Sequence, residues 1–220
     1  MLKYIISILG LLTFFTGNAQ KKDSLPPALR PGVRLGYDVG KKLWALSKKG
    51  NVDEFQLTFN YRNHRLSVIY GKENMPYVHP RYVFRAQGNY FKAGYAYNFY
   101  DNWGDMRNDI TLGVHLARAS FGYMLQSAVR IPLSPVFSPE EIILNKSYTG
   151  LHATWIEAVS AVRAEIFKGL FLELHVSGKY YLSGTPPENF GLVYIPGFYT
   201  TNISRFGFGM GYRVSYLFQW

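Results

Sequence analysis

The chain has 220 residues, no cysteine and a formal net charge of +10. That length allows one domain plus a leader, and the missing cysteines exclude disulfides, thiolate metal sites, cysteine nucleophiles and a lipidated N-terminal cysteine. No run of Lys or Arg exceeds two residues, and no zinc-finger, RNA-recognition or helix-turn-helix signature occurs. The positive balance therefore points to anionic headgroups or lipopolysaccharide phosphates rather than to nucleic acid. Aromatic residues make up 17% of the chain, with 18 Tyr and 16 Phe beside 21 Gly. That mixture suits strands, tight bends and interfacial girdles. Mean hydropathy is −0.08, too low for a bundle of membrane-spanning helices.

Residues 1–20 read MLKYIISILGLLTFFTGNAQ. Lys3 supplies a positive start, Ile5 to Phe15 an apolar stretch, and Gly17-Asn18-Ala19 a small-x-small cleavage site. The apolar stretch is shorter than the ~20 residues a spanning helix needs. Residues 1–19 are thus expected to be a signal peptide cleaved after Ala19. Residues 20–32, polar and proline-rich, are expected to form a periplasmic tail, and residues 33–220 the folded domain.

From residue 33 onward the chain alternates with a period of two, the mark of strands with two unlike faces. One face of successive segments carries Val33–Val39, Phe55–Tyr61, Leu66–Tyr70, Phe91–Phe99, Ile110–Leu116, Thr154–Ile166, Leu170–Tyr180 and Phe206–Trp220, each at every second position. Short connectors fall at Arg62-Asn63, Asp101–Arg107 and Lys168-Gly169, and long ones at 41–52, 72–87, 117–150 and 183–204. Short and long alternate as in outer-membrane barrels. The fold expected is all-β: a closed antiparallel transmembrane β-barrel of eight strands. Segment Phe121–Ile131 either lengthens the fifth strand or adds a hairpin, which would give ten.

The other face carries Arg34, Arg65, Lys92, Arg163, Lys179 and Arg213 against Asp38, Glu54, Glu157, Glu165 and Glu173. An eight-stranded barrel is only wide enough for side chains to fill it, and an unpaired charge there costs several kcal/mol. Glu157, Arg163, Glu165, Glu173, Lys179 and Arg213 are therefore expected to form structural ion pairs in a plugged lumen; ten strands would instead leave room for a narrow pore. His115 and His175 face inward too, and without a serine paired to either by the pattern they read as interior hydrogen-bonding groups. No HExxH, GxSxG, Walker or EF-hand pattern occurs. Gly207-x-Gly209-x-Gly211 alternates with aromatics on a strand and opens no helix, so it is not a nucleotide fingerprint. No catalytic residue, metal or cofactor is expected, and a lipid A-modifying enzyme is the weaker alternative.

The end of the chain, Tyr212-x-Val214-x-Tyr216-x-Phe218-x-Trp220, looks like the terminal-strand signal read by the barrel assembly machinery through strand addition. Residues 148–220 resemble the C-terminal half of an uncharacterised family of outer-membrane barrels from Bacteroidota-type bacteria, a domain of unknown function. The resemblance rests on Trp155-Ile156-Glu157, on Glu165 to Leu170, on Tyr194-Ile195-Pro196-Gly197-Phe198 and on Phe206 to Tyr212. Tyr90–Tyr97 and Gly113 fit more loosely, and Trp220 departs from the family's usual phenylalanine-type ending. The resemblance implies the fold and an outer-membrane location; it brings no catalytic residues. The expected role is structural, anchoring or binding, with lipopolysaccharide and outer-membrane lipid as surroundings. Loop 183–204 either meets a partner or caps the barrel mouth.

Overall fold

Period-two alternation over long stretches leaves the backbone one way to satisfy its hydrogen bonds on both edges of every strand, which is to close the sheet. A computed structural model describes residues 31–79, 82–101, 107–130, 140–187, 192–200 and 205–219. The expected leader, the tail up to residue 30 and Trp220 lie outside these residues. The elements are β1 (Gly32–Asp38), α1 (Val39–Ser47), β2 (Asn51–Tyr61), β3 (His64–His79), β4 (Tyr82–Asn98), β5 (Asp109–Arg130), β6 (Glu140–Phe167), β7 (Leu170–Thr185), β8 (Tyr194–Ile195), β9 (Tyr199–Thr200) and β10 (Phe206–Gln219). Eight of the strands form a closed antiparallel barrel in the order β1-β10-β7-β6-β5-β4-β3-β2, and β8 and β9 pair as a separate small hairpin. The barrel therefore has eight strands, and Phe121–Arg130 continues β5 rather than adding a ninth and tenth.

Three connectors at one end, here the turn end, are short: Arg62-Asn63, 99–108 and Lys168-Gly169. The expected long connectors at the opposite, loop end are corrected. Span 72–87 is almost wholly strand, because β3 runs to His79 and β4 starts at Tyr82. Of span 117–150, residues 117–130 and 140–150 belong to β5 and β6, and 131–139 lie outside the described residues. The pattern is hard to see because the alternation reverses sense while keeping its parity. Outward Leu116 gives way to outward Arg118 and Ser120, and inward His115 to inward Ala117, Ala119, Phe121 and Tyr123.

Span 41–52 was also expected to be loop, with Val39 and Gly40 ending the first strand. Instead α1 begins at once, because the Asp38 carboxylate accepts the Lys41 N–H at 2.9 Å and caps the helix N-terminus. Lys48 N–H and Gly50 N–H close its C-terminal end on the Ala45 carbonyl, at 3.0 and 2.8 Å.

The molecule has two storeys. Near the turn end the outside is apolar and the inside ionic. Toward the loop end the inside becomes a core of Val52, Met75, Phe84, Phe121, Tyr123, Leu151 and Trp155, while Lys72, Gln87, Arg118 and Ser120 take the outer face.

The β6–β7 turn sets the register of two long strands and holds Gly169 at φ +80°. Gly169→Ala is expected to lower stability by about 1–2 kcal/mol, the cost of a left-handed non-glycine residue. Gly178, with open space at its Cβ, provides the control. Urea unfolding in detergent checks this: equal midpoints for Gly169→Ala and Gly178→Ala would contradict it.

Candidate functional site

In the inward row nearest the turn end, Asp109 accepts from three guanidinium groups: Arg163 at 2.6 Å, Arg34 at 3.3 Å and Arg65 at 3.5 Å. Arg163 reaches on to Glu173, whose other oxygen lies 2.5 Å from Arg213. Arg213 continues to Glu54 at 2.9 Å and to the Gln56 amide oxygen at 2.5 Å. Glu54 also accepts from Lys41 at 2.6 Å and from the Tyr90 hydroxyl at 2.8 Å. Lys92 bonds Glu157 at 2.9 Å, and the Trp155 ring nitrogen donates to the same carboxylate at 2.7 Å. The chain of contacts thus climbs from Asp109 to Glu157 with a partner at each step. Among the described residues seven cations and six carboxylates are buried inside, so the interior is close to neutral, as the width of such a barrel requires.

His115 and His175 sit within this ladder. The Ser67 hydroxyl and His115 Nε2 are 3.0 Å apart, although Ser67 and His115 stand on β3 and β5 with Gly94 of β4 between them. A Cβ at Gly94 would collide with the His115 ring and the Val114 carbonyl, so glycine is what lets the two meet across an intervening strand. The pair is buried and faces the lumen. His175 stands 3.4 Å from both Asp38 and Glu173. Asp38, Glu54 and His175 offer ligand atoms within 4.8 Å of one another. Lys41 and Arg213 already occupy the space between the two carboxylates, so the set does not suit a cation. A cavity of about 30 Å³ runs among these groups, room for a couple of water molecules.

Above the ladder the lumen is closed by a cap. Residues 193–198 fold inward and are buried. The Tyr123 hydroxyl donates to the Tyr194 carbonyl at 2.5 Å, and Phe198 meets Trp155 edge-on at 5.8 Å. Lys179 donates to the Gly197 carbonyl at 2.7 Å and lies 4.3 Å from the centre of the Tyr199 ring. Glu73 accepts from the Tyr194 hydroxyl and from the Gly197 N–H, the latter at 2.9 Å. Gly197 has φ +78° and a Cβ there would lie 2.8 Å from the Tyr90 ring, so no side chain fits. Burial pushes the Glu73 carboxyl above its ordinary range, against the pull of its two donors. Burial together with Glu73 pushes the Tyr194 hydroxyl far above its own.

Of the six residues expected to form interior ion pairs, the structure joins Arg163, Glu173 and Arg213 directly, and puts Lys179 3.9 Å from Glu157. Glu165 is corrected. It is only half-buried and accepts the backbone N–H groups of Arg107 and Gly169 at 2.9 and 2.8 Å, serving two turn-end connectors. It sits two residues beyond Arg163, where the strand reaches its turn, and backbone donors of the connectors take both of its oxygens. Sequence reasoning missed three partners. Asp109 shows the right parity but stands at a strand's first residue. Glu73 and Lys41 fall in spans read as loop. Tyr212, Val214, Tyr216 and Phe218 share the outer face of β10, all substantially exposed. Of loop 183–204, residues 193–198 belong to the cap and not to an exposed surface.

This geometry defines a class: a small closed antiparallel β-barrel with an apolar exterior and an ion-paired, side-chain-filled lumen. The chain belongs to a family described as a domain of unknown function, DUF6048, whose profile matches residues 1–219. The resemblance to an uncharacterised barrel family, expected over about residues 33–220 and strong only in the last third, thus holds, and the match extends over residues 1–219. No curated protein matches it in sequence. The crystal structure of Neisserial surface protein A is similar, with a TM-score of 0.42 and 11% identity, over 86% of this chain and 95% of that one.

Two outcomes follow from the ladder and the cap. Asp109→Asn would leave three guanidinium groups around a neutral amide, and is expected to cost about 3–5 kcal/mol of stability; urea unfolding at pH 7 measures it, and a change under 1 kcal/mol would contradict the hub role of Asp109. An acid whose value rises on folding is held best while protonated. The cap should therefore sit most firmly below the ordinary carboxylate value of 4.5, and loosen as pH rises through the raised Glu73 value. Hydrogen exchange at residues 194–198, corrected for intrinsic rates, should show more opening at pH 8 than at pH 4. Glu73→Gln should flatten that difference, and an unaltered pH response in Glu73→Gln would refute the assignment.

Proposed function

We propose that the protein is a small outer-membrane β-barrel with a plugged polar core, acting as an anchoring or binding element through its loop end. The observation that carries this reading is the inverted polarity of the lower storey. Large apolar side chains stand exposed on all eight barrel strands, among them Leu35, Leu57, Val68, Phe91, Leu112, Val162, Leu174 and Val214. An apolar surface of that extent, wrapped around a charged interior, matches hydrocarbon and not water. No helix of the described residues is long and apolar enough to cross a bilayer, so crossing would fall to the strands, and a closed sheet is the form in which strands can do so. Tyr61, Tyr95, Phe99, Phe167, Tyr216 and Phe218 are exposed toward the turn end, as an interfacial girdle would be.

In this reading the short turns face the periplasm and the capped end faces outward. The leader directs export, and the outward row Tyr212, Val214, Tyr216, Phe218, continued in sequence by Trp220, is the edge recognised during assembly. Lipopolysaccharide and outer-membrane lipid surround the belt. The lumen serves rigidity rather than conduction, since the ladder and the cap fill it and the cavity among the described residues has room for a couple of waters.

Purified leader-free protein is expected to need detergent, to show a β-type circular dichroism spectrum, and to migrate differently on gels before and after boiling. In planar bilayers it should give no steady conductance steps. Solubility without detergent would end the membrane reading, whereas regular conductance steps would end the plugged-lumen reading alone.

A further inference from the structure

The wall of the barrel is not strand all the way round. β1 stops at Asp38, opposite Arg213, while β10 runs on through Tyr212 to Phe206 paired only with β7. On the other side Asn51–Glu54 of β2 pair only with β3. Helix α1 stands in the gap and packs against both β2 and β10. A Cβ on Gly40 would lie 2.7 Å from the Tyr212 backbone nitrogen, a measure of how closely the helix start abuts β10. Lys41 and Ala45 turn inward and are buried.

The outward side of this helical panel is apolar at its middle, and basic residues follow its end. Leu43 is 62% exposed and Leu46 53%, and on the neighbouring strand Phe208 is 84% and Met210 61% exposed, while Trp44 meets the Tyr199 ring of the cap at 5.7 Å. Lys48 and Lys49 follow α1, and Arg205 precedes β10; all three are exposed. Asp53, on the same side, is already engaged by Lys42 and by the Tyr37 hydroxyl, each at 2.8 Å. The basic groups are exposed, and no carboxylate forms an ion pair with them among the described residues.

We infer that the panel of α1 and upper β10 is a binding site for a phosphorylated lipid of the outer leaflet. Its acyl chain lies along Leu43, Leu46, Phe208 and Met210, and its phosphate is held by Lys48 and Lys49. A short helix with apolar residues on one side and lysines at its end is the pattern of an element seated at a membrane–water boundary. A second copy of the chain would set the same cations against each other, a like-charge arrangement that disfavours pairing. Addition of a partner strand to β10 is obstructed by α1 itself. A lipid answers both halves of the surface at once. The assignment rests on the outer-membrane reading and gives it a specific lipid contact.

Native mass spectrometry of the full chain, released from phosphatidylcholine nanodiscs containing a minor fraction of phosphatidic acid, tests this. Wild type is expected to retain phosphatidic acid in preference to phosphatidylcholine. With each basic group near an anionic surface worth about fivefold, Lys48→Gln/Lys49→Gln should weaken retention roughly 25-fold. Leu43→Ser/Leu46→Ser should also weaken it, and Lys146→Gln, on β6, should leave it unchanged. Inorganic phosphate alone should fail to displace the lipid. Equal retention of both lipids, an unaffected double-lysine variant, an equal loss in Lys146→Gln, or displacement by free phosphate would each overturn the site. Boiling-dependent gel mobility and circular dichroism of every variant separate this from a failure of the barrel itself. A wild type that needs no detergent removes both readings, whereas an intact barrel without lipid preference removes only this one.

Discussion

In the lower lumen of this molecule every guanidinium lies within reach of a carboxylate, because an unpaired charge there is costly. That requirement organises the rest. Asp109 gathers Arg34, Arg65 and Arg163 from three different strands, and Arg213 on the last strand reaches Glu54 on the second. The ion pairs therefore run across the barrel rather than along it. They tie residues far apart in sequence, and do inside the ring what a hydrophobic core does in a water-soluble sheet. Each strand is then free to turn its apolar residues outward.

The same parity supports a second, opposite arrangement higher up. On β5 the inward row passes from Thr111 and His115 to Ala119, Phe121 and Tyr123, while the outward row passes from Leu112 and Val114 to Arg118 and Ser120. The backbone does not change; the chemistry of the two faces is exchanged. Residues 193–198 and α1 complete this upper core, so the segments that look like free loops in the sequence are structural. A buried glutamate, Glu73, joins one of them to the wall.

Legibility in the sequence followed the strength of the repeating pattern. The lower portions of all eight strands, their faces and the turns at Arg62-Asn63 and Lys168-Gly169 could be read because outer apolar and inner polar residues alternate without interruption. The upper portions could not, because reversed alternation that ends in Pro80 or runs through Gly122 resembles a polar loop when only outward apolar rows are sought. The helix was hidden by its shortness, although Asp38 three residues before Lys41 gives the capping signal. Most of the ionic ladder was visible from parity alone. Its hub, Asp109, was not weighed because it opens its strand, and Glu165 was placed inside because parity does not tell where a strand ends. The contact of Ser67 with His115 across Gly94 depends on the pairing of three strands, information that one-dimensional periodicity does not hold.

The first strand is seven residues long, against twenty-eight for β6, and it forms one side of the seam where the first and last barrel strands pair. The ring is thus a zipper with one short row of teeth. Mechanical or denaturant stress would part it there first, and a nascent sheet could stay open at that junction, with β2 to β7 already in register, until β10 arrives to lock against Arg34 and Tyr37.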